Sequence, residues 1–534
     1  MPLFVSVGAV LGAVLVTLGT AAPAMAASCE ALAALALPQA MVTTAQAVAP
    51  GTFTPPGPAR AGGAPPAGPA RAFAALPAFC RVAATLTPSS DSDIKIEVWL
   101  PASGWNGKLQ SVGNGGWTGS IPYPSLAAAV SAGYAAAGTD TGHVGNSASF
   151  ALGHPEKVID FGYRAVHEMT VKAKAVIDAF YGSRPTFSMW NGCSQGGRQG
   201  IAAAVRYPTD YDAVIAGAPA VNFMQLHAGR MALNRSVNVT PAHTLPAAAY
   251  PLVHKAVLAA CDAKDGVTDG VIENPASCAF DPVVLACKAA GRAGGAAGGA
   301  AGAAADEASC LTPAQVESAR RLYQPVVHPT THATVIPGLA PGAELGWNVL
   351  ASPRPLSFAD EAFKYVVAKD PAWEASRFNP ATDLDAAFRA DPGDVLSSTD
   401  PDLRAFFARG GKLMLYHGWS DPQVTPFNTV DFFKKIVSIQ GPGAVGSSVQ
   451  LYMVPGMNHC NGGPGTDAFD PTAAIEQWVR TGAAPARIEA SHRTNGVPDR
   501  TRPLCPFGEV ARWSGTGSSD VAANFACVAD AVSR

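Results

Sequence analysis

Thr186-Phe-Ser-Met-Trp190-Asn-Gly-Cys-Ser194-Gln-Gly-Gly-Arg-Gln-Gly200 is the stretch that decides the fold class. Thr186 to Trp190 reads as a short buried strand, Asn191 to Gly197 as a Gly-rich turn, and the residues running to about Arg206 as a helix. Gly192-x-Ser194-x-Gly196 between a strand and a helix is the nucleophile-elbow pattern. The serine must sit on a sharp turn, and the flanking glycines let neighbouring backbone pass without Cβ clashes. Alone the pattern is weak, since a Gly-rich helix start that binds nothing also satisfies it. Its surroundings give it weight.

Working outward, Ile94-Lys-Ile-Glu-Val-Trp-Leu100 alternates as a half-buried strand. Leu109 to Val112 leads into the flexible loop Gly113-Asn-Gly-Gly116, and Tyr134-Ala-Ala-Ala-Gly138 is another short strand. Ile159 to Phe180 has helical periodicity. Strands alternating with helices imply an α/β fold with a parallel sheet. The rhythm fails between about Phe223 and Leu403, a region with four cysteines and a low-complexity Gly/Ala tract, Ala289 to Ala305. It resumes at the strands Lys412–Tyr416 and Val449–Val454. The Pro/Gly/Ala-rich stretch from Cys29 to about Leu76 reads as an extended arm. The expected organisation is a signal at 1–26, a core at 27–222, an inserted lid at 223–403 and a second core part at 404–534.

An elbow serine needs an acid and then a histidine, each just after a later strand. After Lys412–Tyr416 comes His417-Gly-Trp-Ser-Asp421-Pro422, and after Val449–Val454 comes Pro455-Gly-Met-Asn-His459-Cys460. Either could be an ordinary loop residue. Together, in this order and at strand ends, they predict a Ser194, His459, Asp421 triad in which His459 takes the serine proton and Asp421 orients it. Cys193 precedes the serine and Cys460 follows the histidine. If Ser194 and His459 are within hydrogen-bond reach, these two cysteines fall within disulfide range. His417 reads as a packed or hydrogen-bonded histidine, and His143 and His154 lack metal-ligand spacing.

Composition removes other classes. The chain has 534 residues, 48% hydrophobic and 14% charged, which allows a large core and rules out global disorder. A net charge of −3 argues against a nucleic-acid partner, and no run of five like charges offers an electrostatic membrane tether. Leu3 to Thr20 is apolar and precedes Ala24-Met25-Ala26, a small-x-small cleavage pattern, although no Lys or Arg stands before it. Gly12, Gly19 and Pro23 interrupt the run and disfavour a membrane anchor. Ten cysteines then fit disulfides in a secreted or periplasmic protein.

Gly192-Cys-Ser-Gln-Gly-Gly197, Gly418-Trp-Ser-Asp421 and Asn458-His-Cys460 together resemble the tannase/feruloyl esterase family. The resemblance extends over nearly the whole mature chain. It implies a serine esterase with an α/β-hydrolase core and a large inserted lid domain. It further implies disulfides Cys29–Cys80, Cys193–Cys460, Cys261–Cys278, Cys287–Cys310 and Cys505–Cys527. An oxyanion hole would take one backbone N–H from Gln195 and one from Gly115 or Gly116; sequence does not choose between the glycines. Cys261-Asp262-Ala-Lys-Asp265-Gly-Val267-Thr-Asp269-Gly-Val271 gathers three carboxylates in eight residues, with glycines that permit a tight wrap, a donor set suited to Ca²⁺. A solvated acidic turn is the plainer reading. The resemblance assigns Asp262, Asp265 and Asp269 by side chain, and Val267 and Val271 by carbonyl, to a structural calcium ion. The implied substrate is an aromatic, feruloyl-type ester, with galloyl esters and terephthalate monoesters as alternatives. The last would need a cation, for which Arg354 and Arg377 are lid candidates. Trp347, Phe358 and Trp373 read equally as pocket lining or lid core. Two rivals are a Cys193 thiol enzyme and a non-catalytic calcium-dependent binding module.

Overall fold

Nine strands form one mixed sheet: β1 (Ala40–Val48), β2 (Phe79–Leu86), β3 (Ile94–Pro101), β4 (Lys108–Val112), β5 (Ala135–Thr139), β6 (Phe187–Cys193), β7 (Ala213–Gly217), β8 (Lys412–Gly418) and β9 (Val449–Val454). Their order is β1-β2-β3-β5-β4-β6-β7-β8-β9. The first four strands in that order pair antiparallel, and every pair from β5 onward is parallel. The computed structural model describes residue 1 and residues 27–56, 73–288 and 309–530. The rest of the expected signal, and the Gly/Ala tract, lie outside the described residues.

The sheet differs from expectation at one edge. The N-terminal stretch read as an extended arm contributes β1, whose Ala-rich sequence carries no strong alternation. Antiparallel pairing with β2 and the Cys29–Cys80 disulfide hold it to the core.

The parallel strands are covered on both faces, so they read as continuous apolar runs. Side-chain alternation sorts them. Val214, Ala216, Leu413 and Leu415 join one hydrophobic layer with Val166, Met169, Ala173 and Ile177 of helix α2 (Ala165–Tyr181). Ala213, Ile215, Met414 and Tyr416 face the opposite layer with Leu126 and Val130 of helix α1 (Tyr123–Ser131) and Trp478 near the C-terminus. Ile215 and Leu415 are fully buried, each contributing roughly 1.5–3 kcal/mol. Helix α2 presents its apolar residues at three- and four-residue spacing and ends at Gly182, in the left-handed conformation.

Helix α3 (Gln195–Arg206) packs so closely on β6 and β7 that side chains are excluded from its inner face. A Cβ on Gly200 would stand 2.3 Å from Trp190 Cδ1, and one on Gly197 would stand 2.6 Å from the Gly217 carbonyl oxygen.

Strands β7 and β8 are neighbours in the sheet, yet residues 218–411 run between them. That segment carries helices α4 (Phe223–Val237), α5 (Ala249–Cys261), α6 (Pro313–Tyr323) and α7 (Pro380–Arg389). It has an apolar cluster of its own around Val253, Leu322 and Trp347. A second cluster joins Trp373, Phe378 and Leu384 to Trp117, Phe161 and Phe223. Trp347 and Trp373 are therefore packing residues. After β9, two small antiparallel hairpins, Ile488–Thr494 with Val497–Leu504 and Glu509–Trp513 with Phe525–Ala529, complete the described chain.

All ten cysteines are paired, in the five bridges expected. Among the described residues no helix is long and apolar enough to cross a membrane.

Two outcomes follow from this packing. Gly200→Ala forces a methyl group against the Trp190 indole and should cost about 1–3 kcal/mol; an unchanged thermal midpoint would show that the helix can shift away. The second concerns Asp140, at the end of β5, whose Oδ1 accepts the N–H of Lys95 and Gly142. Burial pushes its carboxyl up to about 7 despite those two donors. Its folded value lies above the unfolded one, so the fold binds the extra proton between about pH 4 and 7 and loses stability as pH rises through that window. Asp140→Asn should raise the melting midpoint at pH 8 and leave it unchanged at pH 4, checked by calorimetry at both.

Candidate active site

Ser194 stands between β6 and α3 with φ 62° and ψ −121°, a conformation outside the usual regions for an L-residue. Such a residue costs on the order of 1–3 kcal/mol and persists only where its surroundings hold it. Here the Ser194 N–H donates to the Gly217 carbonyl (2.8 Å), while its own carbonyl accepts from Arg198 N (3.1 Å) and Ala220 N (3.2 Å). The two flanking glycines have a steric reason. A Cβ on Gly192 would lie 2.5 Å from Gly196 O, and one on Gly196 would lie 3.0 Å from Asn114 O.

The same crowding brings in the Gly113–Gly116 loop, which follows β4. Asn114 donates its N–H to Gln199 Oε1 (3.0 Å), and its side-chain amide donates to the carbonyls of Thr139 (2.9 Å) and Ser120 (3.0 Å). Gln199 lies in α3, so the elbow helix holds this loop directly. Among the described residues the N–H groups of Gly115 and Gly116 find no acceptor. Gly115 faces open space, whereas the Phe358 ring covers Gly116: a Cβ there would stand 2.8 Å from Phe358 Cζ. Trp117 Nε1 donates to the Phe358 carbonyl at 3.0 Å. Of the three lid aromatics singled out by sequence, Phe358 is the one against this loop.

Asp421 and His459 come together. His459 Nδ1 lies 2.5 Å from Asp421 Oδ2, leaving Nε2 as the ring's other polar atom. Asp421 is fully buried, and its Oδ1 accepts Gln423 N–H (2.7 Å) and Val424 N–H (3.0 Å). Burial opposes its charge, but His459 and hydrogen bonds from His417 and His459 hold the carboxyl well below the usual range. The loops carrying the two residues are tied by backbone, Ser420 N–H to Met457 O (3.0 Å). A Cβ on Gly418 would meet Met457 O at 2.2 Å, so only glycine fits there. The Cys193–Cys460 disulfide, Cα to Cα 6.0 Å, joins the residue before Ser194 to the residue after His459. It leaves Cys193 no thiol, which removes the thiol-enzyme reading.

Two residues here had no sequence signal strong enough to find them. Arg230 of α4 is 5% exposed and donates through Nε (3.0 Å) and Nη2 (2.6 Å) to the Gln423 carbonyl, inside the Asp421 turn. Burial lowers its guanidinium to about 10, and the Asp421 charge works against that shift. Gln199 is the other; its role depends on a loop 85 residues earlier in the chain. His417 is packed and hydrogen-bonded as read, but its partner is Asp421, at 3.0 Å, and the His-x-x-x-Asp spacing was the available hint.

The acidic loop lies elsewhere. Asp262, Asp265, Asp269, Val267 and Val271 share one turn closed by Cys261–Cys278. Asp262 accepts the N–H of Asp269 (3.3 Å) and Gly270 (2.9 Å), Asp265 that of Val267 (2.9 Å), and Asp269 that of Val271 (3.2 Å). Asp269 also pairs with Arg502 at 2.5 Å. Among the described residues no three acidic, His or Cys side chains are gathered as a ligand set. The donor set still fits a hard cation: all its atoms are oxygen. Burial, reinforced by the charges of Asp269 and Asp262, pushes Asp265 up to about 6, a penalty that a cation would relieve.

Comparison with known proteins agrees with this architecture. The family profile described as tannase and feruloyl esterase matches residues 80–528. An uncharacterized esterase of Xanthomonas campestris pv. campestris is 35% identical, over 97% of this chain and 93% of its own length. A probable feruloyl esterase B-2 of Aspergillus flavus is 32% identical, over 79% of this chain and 81% of its own length. Among solved structures, feruloyl esterase B from Aspergillus oryzae superposes with a TM-score of 0.83 at 28% identity, over 94% of this chain and 99% of that one. With an α/β-hydrolase sheet, a serine elbow and a matching profile over most of its length, the chain is a carboxylic-ester hydrolase and belongs to the tannase and feruloyl esterase family.

Proposed function

We propose that the protein is an exported serine esterase that cleaves esters of aromatic, feruloyl-type acids through an acyl-enzyme on Ser194. The observation that carries the mechanism is the 2.5 Å contact of His459 Nδ1 with Asp421 Oδ2, on a loop bridged to the elbow by Cys193–Cys460. In this reading Ser194 Oγ attacks the ester carbonyl and His459 Nε2 takes its proton. The backbone N–H of Gln195 and that of Gly115 or Gly116 stabilise the tetrahedral oxyanion. His459 then returns the proton to the leaving alcohol. Water, activated by the same imidazole, frees the acid and regenerates Ser194. Asp421 keeps His459 in the Nδ1–H tautomer and offsets the charge it gains.

The aromatic preference is supported by the Phe358 ring over Gly116 and by the feruloyl esterases among the relatives. A terephthalate monoester is a second reading with one observation in its favour. Arg354 is exposed, lies four residues before Phe358 and has no ion-pair partner among the described residues, whereas Arg377 pairs with Asp370 at 3.5 Å. Export rests on the small-x-small site ending at Ala26 and on five disulfides.

Calcium belongs to the same proposal. Asp262, Asp265 and Asp269, with the carbonyls of Val267 and Val271, would hold it, and the ion would supply charge neutralisation and cross-linking to the lid loop. Calcium should raise the thermal midpoint of chelator-treated protein, and Asp265→Asn should abolish that increment. A midpoint indifferent to both chelator and calcium counts against the site.

The activity itself is tested by hydrolysis of methyl ferulate, methyl gallate and mono(2-hydroxyethyl) terephthalate by wild type and Ser194→Ala. The expected result is preference for ferulate and a loss of at least about a thousandfold in kcat for Ser194→Ala. Preference for gallate or the terephthalate monoester would keep the mechanism and reassign the acyl group. Full activity in Ser194→Ala would overturn the mechanism.

A further inference from the structure

His417 is fully buried at the end of β8, four residues before Asp421. Its ring makes three polar contacts. Nε2 lies 3.0 Å from Asp421 Oδ2 and 2.9 Å from the Val424 carbonyl, and Nδ1 lies 2.7 Å from Thr429 Oγ1. A carboxylate and a carbonyl only accept, so Nε2 must carry the hydrogen. In the neutral ring Nδ1 then accepts from the Thr429 hydroxyl, on helix α8 (Pro426–Gln440). Asp421 Oδ2 therefore receives two imidazole N–H groups, one from His459 and one from His417.

We propose that His417 is a positioning residue for ester hydrolysis, a second imidazole fixed as its Nε2–H tautomer by Thr429 that holds Asp421 Oδ2 against His459 and shares its negative charge. The inference rests on the Ser194, His459, Asp421 reading. Its physical content lies in what the other donors do. Gln423 and Val424 N–H groups hold Oδ1 alone. Without His417, Oδ2 would depend on the one partner that gains and loses a proton in each cycle, and the carboxylate would follow that ring. A constant donor on the same oxygen keeps the geometry in both protonation states. It also withdraws charge from Oδ2, so His459 faces a weaker anion.

The charged and titratable groups around Asp421 are few. His459 comes from the loop after β9, His417 from β8 and Arg230 from α4, with Thr429 from α8 behind His417. Arg230 reaches the turn through the Gln423 carbonyl, which leaves the Oδ2 contact to the two imidazoles. A side chain serving only to fill this space would need none of the three matched contacts, and Phe would fill it as well.

The test uses His417→Phe, His417→Gln and Thr429→Val, with Asp421→Ala as reference. Each is assayed from pH 5 to 8 on p-nitrophenyl acetate, which asks little of the acyl pocket, and each is melted. In His417→Phe, kcat should fall on the order of tenfold with KM within about twofold, as expected for one charge-assisted hydrogen bond. The acidic limb of kcat/KM should move to higher pH. His417→Gln, which keeps an amide donor, should recover most of kcat and return the limb. Thr429→Val should move the limb in the same direction as His417→Phe and decides the matter if His417→Phe does not fold. An unmoved limb in His417→Phe or Thr429→Val, with only a lower melting midpoint, makes His417 a packing residue and overturns the inference while Asp421→Ala remains inactive. Wild-type turnover by Asp421→Ala overturns the triad reading, and the inference with it.

Discussion

Ser194 holds a backbone conformation that an L-residue avoids, and the middle of the molecule is arranged to keep it there. The Gly217 carbonyl at the end of β7 takes its N–H, and α3 begins on the next residue. That geometry requires backbone against backbone: Gly192 on Gly196, Gly113 on Gly196, Gly197 on the Gly217 carbonyl. Close packing at the parallel strand ends is thus what exposes a strained serine at the start of a helix, where backbone N–H groups and the helix dipole favour a developing anion.

A second consequence is electrostatic. Asp421 has no exposed surface, so its charge survives only because every lone-pair direction is answered: two backbone N–H groups on Oδ1 and two imidazoles on Oδ2. The carboxyl is consequently held ionised well below the usual carboxylate range. Sequence order placed Asp421 and His459 after the correct strands; the contact partners that make the carboxylate stable came from elsewhere.

This difference explains what was legible. The elbow, the strand–helix alternation and the order of acid and histidine are local patterns with short-range physical causes, and the structure puts Ser194 on a strand–helix turn and His459 against Asp421. Strand β1 did not, because an Ala-rich edge strand has one buried neighbour and needs little alternation. The mixed direction of the sheet was also missed, since β1, β2 and β3 join by antiparallel pairing that apolar runs alone do not reveal. Gln199 and Arg230 were illegible as site residues for a common reason: each acts on a segment distant in sequence, and nothing in their neighbours announces it; Phe358 was singled out, but nothing local told it apart from Trp347 and Trp373. His417 lay in plain view, but its polar partner could be known only once the turn was folded.

The origin of Arg230 and Phe358 bears on what the insertion is. Both come from the segment between β7 and β8, yet one grips the Asp421 turn and the other covers Gly116 while its carbonyl receives the Trp117 indole. Trp117 in turn packs against Phe161 of the core and Phe223 of α4. An insertion that were only a cover would touch the rim and leave the catalytic loops to the sheet. Here α4 is anchored in the same apolar cluster as Trp117, next to the Gly113–Gly116 loop, and its buried cation would be left without its acceptor if the helix moved away. The inserted segment is therefore partly scaffold. Its α4 face and residue 358 belong to the frame around Ser194, as does Gly338, whose carbonyl accepts the Thr425 hydroxyl beyond the Asp421 turn at 2.6 Å.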